Sequence, residues 1–209
     1  GTEQFFGALA EGWGIEEVNY SFEGHQIERK RGVRVLTSEE LALKDVSLTY
    51  VSKLMNREYT RAPIFRKVLQ SICWQVSSGN QVIVIGAIQP DNTVKGGTGW
   101  GAEFAKICNK PLLVFDQPKN GWFTWDKEVW TPVEKPVIEH AHFAATGTRF
   151  LEDNGRDAIR SGPHQPEPPR RHPGSLRPLL QPLSREQPRL PGLFGRIRRA
   201  FTGAAFCVL

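Results

Sequence analysis

Cysteine is scarce: the 209 residues contain three, Cys73, Cys108 and Cys207, an odd number with no C-x-x-C spacing. That excludes a disulfide framework and a cysteine zinc site, and makes a reduced, cytoplasmic protein the expectation. Long apolar runs are also missing, since none approaches the ~20 residues of a membrane span. The opening Gly1-Thr2-Glu3-Gln4 lacks the basic-then-apolar pattern of a secretory signal. No G-x-x-x-x-G-K-[ST] occurs, so a Walker phosphate loop is excluded. Cys73 and Cys108 fall on predicted helices at core-facing positions, which leaves no Cys/His nucleophile, and no Ser/His/Asp set can be assembled.

Lysine and aspartate are absent from residues 161–209, yet that stretch holds eight arginines, two glutamates and nine prolines. Residues 1–160 hold 19 Lys+Arg against 20 Asp+Glu, so the formal net charge of +5 belongs entirely to the tail. The expected organisation is a folded domain over 1–160 and a Pro/Arg-rich disordered tail over 161–209. Within the tail, Leu193 to Phe206 has the spacing of a short basic amphipathic helix, a pattern suited to an acidic membrane surface. The plain alternative is a tail with no specific contact. The ending Phe206-Cys207-Val208-Leu209 fails as a prenylation motif because the cysteine is third from the end.

The first 160 residues carry enough apolar sequence to bury a core. Phe5, Leu9 and Trp13 predict an amphipathic helix over 2–13. Strands are expected at 18–22 and 33–36, and Thr37-Ser38-Glu39-Glu40 carries the cap-then-acid signature of a helix start. Helical pattern fills 47–77, with Pro63 opening a second helix whose Ile64, Val68 and Ile72 share a face. The runs 82–88 and 111–116 read as strands buried on both faces of a parallel sheet, with a helix expected over 102–108 between them. Residues 121–130 predict an aromatic hairpin turning at Asp126-Lys127, 136–138 a further strand, and 147 onward a last helix. Together these predict a three-layer α/β domain with a mainly parallel sheet.

The stretch from Asn92 to Ala105 carries the most information. Gly96, Gly97, Gly99 and Gly101 place four glycines in six positions between a strand and a helix. Such a loop lets backbone approach a ligand, and the following helix start presents free N–H groups that suit a phosphate or carboxylate. A tight packing turn is the bland alternative; the number of glycines and the polar lead-in favour the anion site. Gly97 to Ala102 also fits G-x-G-x-x-A, with Asp116 placed 19 residues after Gly97, although seven residues separate the strand from the first glycine.

Gly96 to Glu103, followed by Lys110-Pro111 and a strand, resembles the G-G-x-G-T-x-x-E loop of the Rossmann-like SLOG superfamily, which includes LOG-type phosphoribohydrolases and YpsA-like and DprA-like proteins. A bacterial branch shares more: Gly96 to Trp100, Val114 to Gln117, Gly121 to Trp125 and Gly147 to Arg149 resemble its G-G-T-G-W loop, V-F-D-Q strand end, G-W-F-x-W hairpin and G-T-R segment. The resemblance covers residues 1–160. It implies a Rossmann-like fold and a phosphate or nucleotide site lined by Gly96, Gly97, Thr98, Gly99 and Gly101, with Asp116, Gly147, Thr148 and Arg149 as further ligand contacts. It also places Glu103 and Arg66 at the catalytic positions of the hydrolase members. An arginine can hold phosphate bidentately, and a carboxylate can assist departure of a base from ribose.

Lys95 stands at a usual proline and Trp100 at a usual threonine, which removes a phosphate-contacting hydroxyl. Two readings therefore stay open: a binding or sensing module for a nucleotide-like or phosphorylated small molecule, and an N-glycosidic hydrolase of nucleoside monophosphates. A third is nucleic-acid or membrane contact through the basic tail, which is not the expected partner class. Homo-oligomers are left open, and no cofactor is expected. Members of the superfamily begin with a strand and glycine-rich loop before their first helix, so the resemblance also implies a fragment that lacks this strand and carries an atypical C-terminus.

Other residues have plainer alternatives. His140 and His142 form half of a metal site with no third ligand nearby, so metal is not expected. His25 sits after a strand, as a ligand contact or an ordinary loop residue. Trp122, Trp125 and Trp130 suit base stacking or cross-strand pairing.

Overall fold

The structure, a computed structural model, describes residues 1–161 apart from 13 and 135, together with the strand 206–208. Helix α1 (Thr2–Gly12) leads into β1 (Glu16–Phe22), and β2 (Val33–Leu36) follows. Helix α2 (Ser38–Ala42) starts on a capping box, in which the Thr37 hydroxyl accepts from the Glu40 amide and the Glu40 carboxylate accepts from the Thr37 amide. Helices α3 (Asp45–Leu54) and α4 (Pro63–Ser78) come next, α4 with its proline in the first turn as expected. Then follow β3 (Gln81–Gly86), α5 (Gly96–Ile107), β4 (Leu112–Asp116), the hairpin β5 (Gly121–Asp126) and β6 (Val129–Val133), β7 (His142–Gly147), α6 (Asp153–Ser161) and β8 (Phe206–Val208).

All eight strands lie in one sheet, ordered β2-β1-β8-β7-β3-β4-β5-β6. Pairing is parallel from β2 to β4 and antiparallel across the β4-β5-β6 edge. This is an α/β domain with a mainly parallel sheet. Val82, Val84, Leu112, Val114 and Ala144 pack with residues of α2 to α5 on one face; Ile83, Ile85, Phe115, Phe143 and Ala145 pack with α1 and α6 on the other. Val82 to Ile85 have no exposed surface, which explains their unbroken apolar run. Each such side chain contributes about 1.5–3 kcal/mol of burial.

Several expectations shift. The buried stripe of α1 is Phe6 and Ala10, one position on from Phe5 and Leu9, because the helix lies against β7 and Ile83 rather than at an edge. On α4, Ile64 and Phe65 are exposed, and Leu69, Ile72, Cys73 and Val76 form the core face. Cys108, expected in the core, is exposed beyond the last turn of α5. The hairpin turns at Lys127 and Glu128, both in the left-handed region, one residue later than expected.

No strand forms at 136–138. The place beside β3 goes to β7, whose Phe143-Ala144-Ala145-Thr146 run is read poorly from propensity because alanine is a weak strand former. Gly147, expected to open a helix, ends that strand, and α6 starts at Asp153. The tail contributes β8, in the middle of the sheet. The amphipathic pattern over 193–206 otherwise lies outside the described residues.

Candidate functional site

Thr2 of α1 bonds Thr148 after β7, Phe65 of α4 faces Gly97 of α5, Thr98 of α5 lies beside Gly86 of β3, and Gly155 of α6 lies against Gln117 after β4, so the N-termini of α1, α4, α5 and α6 meet the edge formed by the C-terminal ends of β3, β4 and β7. That edge gathers the positive ends of helix dipoles and is where open α/β sheets place ligands.

The glycine-rich stretch sits there, and it is helical rather than a loop. Helix α5 begins at Gly96, six residues earlier than the expected Ala102, so the glycines form its first turns. Lys95 occupies the cap position and makes no side-chain capping hydrogen bond, so that among the described residues the first-turn N–H groups have no side-chain acceptor. Gly96 has φ +73, and a Cβ there would meet nothing within 4 Å. Gly97 faces the Phe65 ring, 3.7 Å from where its Cβ would stand, so the first turns of α4 and α5 lie side by side.

Gly99 and Gly101 serve packing instead. A Cβ on Gly99 would overlap the Val94 carbonyl, and one on Gly101 would come within 2.8 Å of Ile72 Cγ2. Thr98 is buried beside Gly86 at the end of β3. The packing-turn reading thus accounts for two of the four glycines, and the ligand reading retains Gly96 and Gly97.

Strand register brings Asp116 and Gly147 to the same edge, Asp116 opposite Gly86 and Gly147 opposite Ile85. Asp116 is buried, and its oxygens accept from the Ile88 and Lys119 amides at 3.3 Å, with Lys119 Nζ also at 3.3 Å. It closes the turn after β4. Thr148 donates its amide to the Ile85 carbonyl at 2.9 Å and accepts at its own carbonyl from the Thr2 hydroxyl at 2.6 Å, anchoring α1. Arg149 is exposed with its guanidinium over the Phe150 ring.

The two expected catalytic residues are held apart. Glu103 lies about 9 Å along the helix from Gly97 at 1.5 Å per residue. Its carboxylate pairs with Lys106 Nζ at 2.6 Å, both nearly buried. Lys106 also donates to the Asn92 carbonyl and sits 3.6 Å above the Trp125 ring, so the pair pins the hairpin to α5. Trp125 and Trp130 pair edge to face across that hairpin, 5.0 Å between centroids. Arg66 pairs with Asp45 at 2.8 Å and lies over Tyr59. Burial raises the Asp45 carboxyl, but hydrogen bonds from Arg66, Tyr59 and Gln70 outweigh it and hold it below its ordinary range. Burial, then the bond to Asp45, pushes the Tyr59 phenol well up.

Two residues at this edge, Arg57 and Glu3, carried no sequence signal. Arg57 donates to Gln89 at 2.6 Å, to the Thr93 hydroxyl at 2.5 Å and to the Val94 carbonyl, bracing the segment before Gly96. Glu3, in the first turn of α1, accepts from the Thr146 hydroxyl at 2.7 Å. Burial pushes its carboxyl up, against smaller opposing effects of Thr146 and the amino terminus. Their partners are distant in sequence, and only the sheet order brings them together.

A cavity of about 300 Å³ opens at the ends of β1 and β2, lined by Phe22, Glu23, Leu36, Thr37, Leu41 and Lys67 among others. His25 stacks on Phe22, 4.4 Å between centroids, and burial draws its imidazole below its ordinary value. Among the described residues no group of three or more His, Cys, Asp or Glu is placed to hold a metal, and no helix is long and apolar enough to cross a membrane. Burial pushes the Cys73 thiol up to about 12, so it is no nucleophile at neutral pH. Comparison with protein-family models, curated proteins and solved structures finds no match to this chain.

Proposed function

We propose that the domain is a three-layer Rossmann-like module of SLOG type that binds a nucleotide-like or other phosphorylated small molecule at the first turn of α5. The observation that carries this reading is the uncapped start of that helix, where Gly96 and Gly97 leave backbone N–H groups open beside the first turn of α4. With the folded part at nearly zero net charge, local geometry rather than overall field must attract the anion.

Binding is preferred over hydrolysis because Glu103 and Arg66 are each committed to an ion pair, with Lys106 and Asp45 respectively. Titration calorimetry with nucleoside monophosphates and with inorganic phosphate tests the reading. Gly97→Asp keeps an acid-tolerant helix start while placing a carboxylate where the phosphate would sit. The expected result is binding by the native chain, weakened at least ~100-fold in the variant by like-charge exclusion. Equal binding by both rejects the site. Release of free base, lost in Glu103→Gln, would favour the hydrolase instead.

A further inference from the structure

Phe22 and Leu36 are the last residues of β1 and β2 and stand opposite each other in register, so both side chains point to the α4 face of the sheet. The cavity of about 300 Å³ lies just past them, bounded by Leu41 of α2 and Lys67 of α4, with Glu23 and Ser38 at its exposed rim. This is the C-terminal end of two parallel strands, where open α/β sheets place ligands. The His25 ring lies parallel on Phe22, which holds the apolar floor in place.

The charged groups around this cavity fall into two kinds. Arg34 and Glu40 pair at 2.8 Å, and Arg66 and Asp45 pair at 2.8 Å. Lys67 and Glu23 line the cavity itself, and among the described residues neither side chain makes a hydrogen bond or an ion pair, with each other or with a neighbour. Lys67 is half-buried and its Nζ stands 5.8 Å from the centre of the Phe22 ring, so its stem is part of the wall. The Thr37 hydroxyl is taken by the capping box, whereas the Ser38 hydroxyl makes no hydrogen bond among the described residues.

An occupant therefore meets an apolar floor and two uncommitted charges of opposite sign. A phosphorylated molecule would bring negative charge against Glu23, and a hydrocarbon would take charged groups out of water with no partner for either. A zwitterion answers both charges. The volume stands at the lower end of the ~300–1,000 Å³ of small-molecule pockets, which suits one amino acid better than a nucleotide.

We propose that the cavity at the ends of β1 and β2 binds a free α-amino acid with an apolar side chain, its carboxylate on Lys67 and the Ser38 hydroxyl, its ammonium on Glu23 and its side chain against Phe22, Leu36 and Leu41. Affinity comes from the two charge-assisted contacts and the apolar floor together, and either charge alone is a weak handle at a half-open rim.

Titration calorimetry of the full chain with L-leucine and L-phenylalanine tests this, beside two leucine analogues: 4-methylpentanoate, which lacks the ammonium, and 3-methylbutylamine, which lacks the carboxylate. Leucine should bind at least ~10-fold more tightly than either analogue, since each has lost one charge-assisted contact. Lys67→Met keeps the stem beside Phe22 and should weaken leucine at least ~10-fold while leaving 3-methylbutylamine unchanged. Glu23→Gln should weaken leucine by a similar factor while 4-methylpentanoate binds no more weakly than before. The proposal is overturned if neither amino acid binds the native chain up to about 10 mM. It is equally overturned if leucine binds no more tightly than its analogues, or if either variant leaves leucine affinity unchanged. Nothing in this outcome depends on phosphate binding at α5.

Discussion

The first turn of α5 and its third turn are built on opposite principles. The first has glycine in place of side chains, no capping group and open space beside Gly96. The third is crowded: Glu103 and Lys106 form a nearly buried ion pair under two tryptophans. One helix thus holds a surface free to receive an anion and a clamp with no capacity left to react. The contrast recurs within the first turn, where Gly97 borders only the Phe65 ring while Gly99 lies against backbone.

Substitutions can break this comparison. Gly99→Ala is expected to act most strongly, because the Val94 carbonyl it would overlap is backbone that cannot swing away. A loss of about 3 kcal/mol or more in urea unfolding is expected, and a change below a tenth of that would show that the segment before α5 yields freely. Glu103→Ala leaves Lys106 buried without its carboxylate and should cost about 3 kcal/mol, while Glu103→Ala with Lys106→Met should recover most of it. If the double variant is no more stable than the single, the clamp reading fails.

A smaller effect belongs to Glu3. Its raised pKa means the folded state prefers the neutral acid, so its contribution to stability is full below the ordinary 4.5 and is lost as pH rises through the higher folded value. Glu3→Gln should flatten that decline and gain about 1 kcal/mol at neutral pH, read from melting temperatures between pH 4 and pH 8. Parallel curves for the two proteins would remove Glu3 from the pH response. The smallest change has the opposite sign to the first: Gly97→Ala should stabilise by about 0.5–1 kcal/mol through helix propensity, since its Cβ meets only ordinary contacts. Destabilisation there would mean that the first turn is packed like its neighbour.

Much of the fold was legible where local physics decides. The runs at Val82 and Leu112 announce strands buried on both faces, Pro63 and Thr37 mark helix starts, and Trp125 and Trp130 mark a hairpin whose turn slipped by one residue. Legibility failed where side chains say little. Gly96 to Gly101 reads as loop because glycine is a poor helix former, yet α5 packs so closely against Val94 and Ile72 that only glycine fits at 99 and 101. Ala144 and Ala145 read as neither strand nor helix, and β7 exists because both its faces are covered. At the site, the glycines and Asp116 were marked in advance, but their division of labour was not.

By itself, the sequence determined that an α/β domain would form and that a glycine-rich stretch leading into a helix would lie after a buried strand. Apolar periodicity, proline and capping residues act within a few positions, and that information survives in linear order. Only the tertiary structure decided that β8 lies between β1 and β7, that Glu3 meets Thr146, and that Glu103 and Arg66 are spent on separate ion pairs. Those are contacts between residues far apart in the chain, set by strand order and by which helix covers which face.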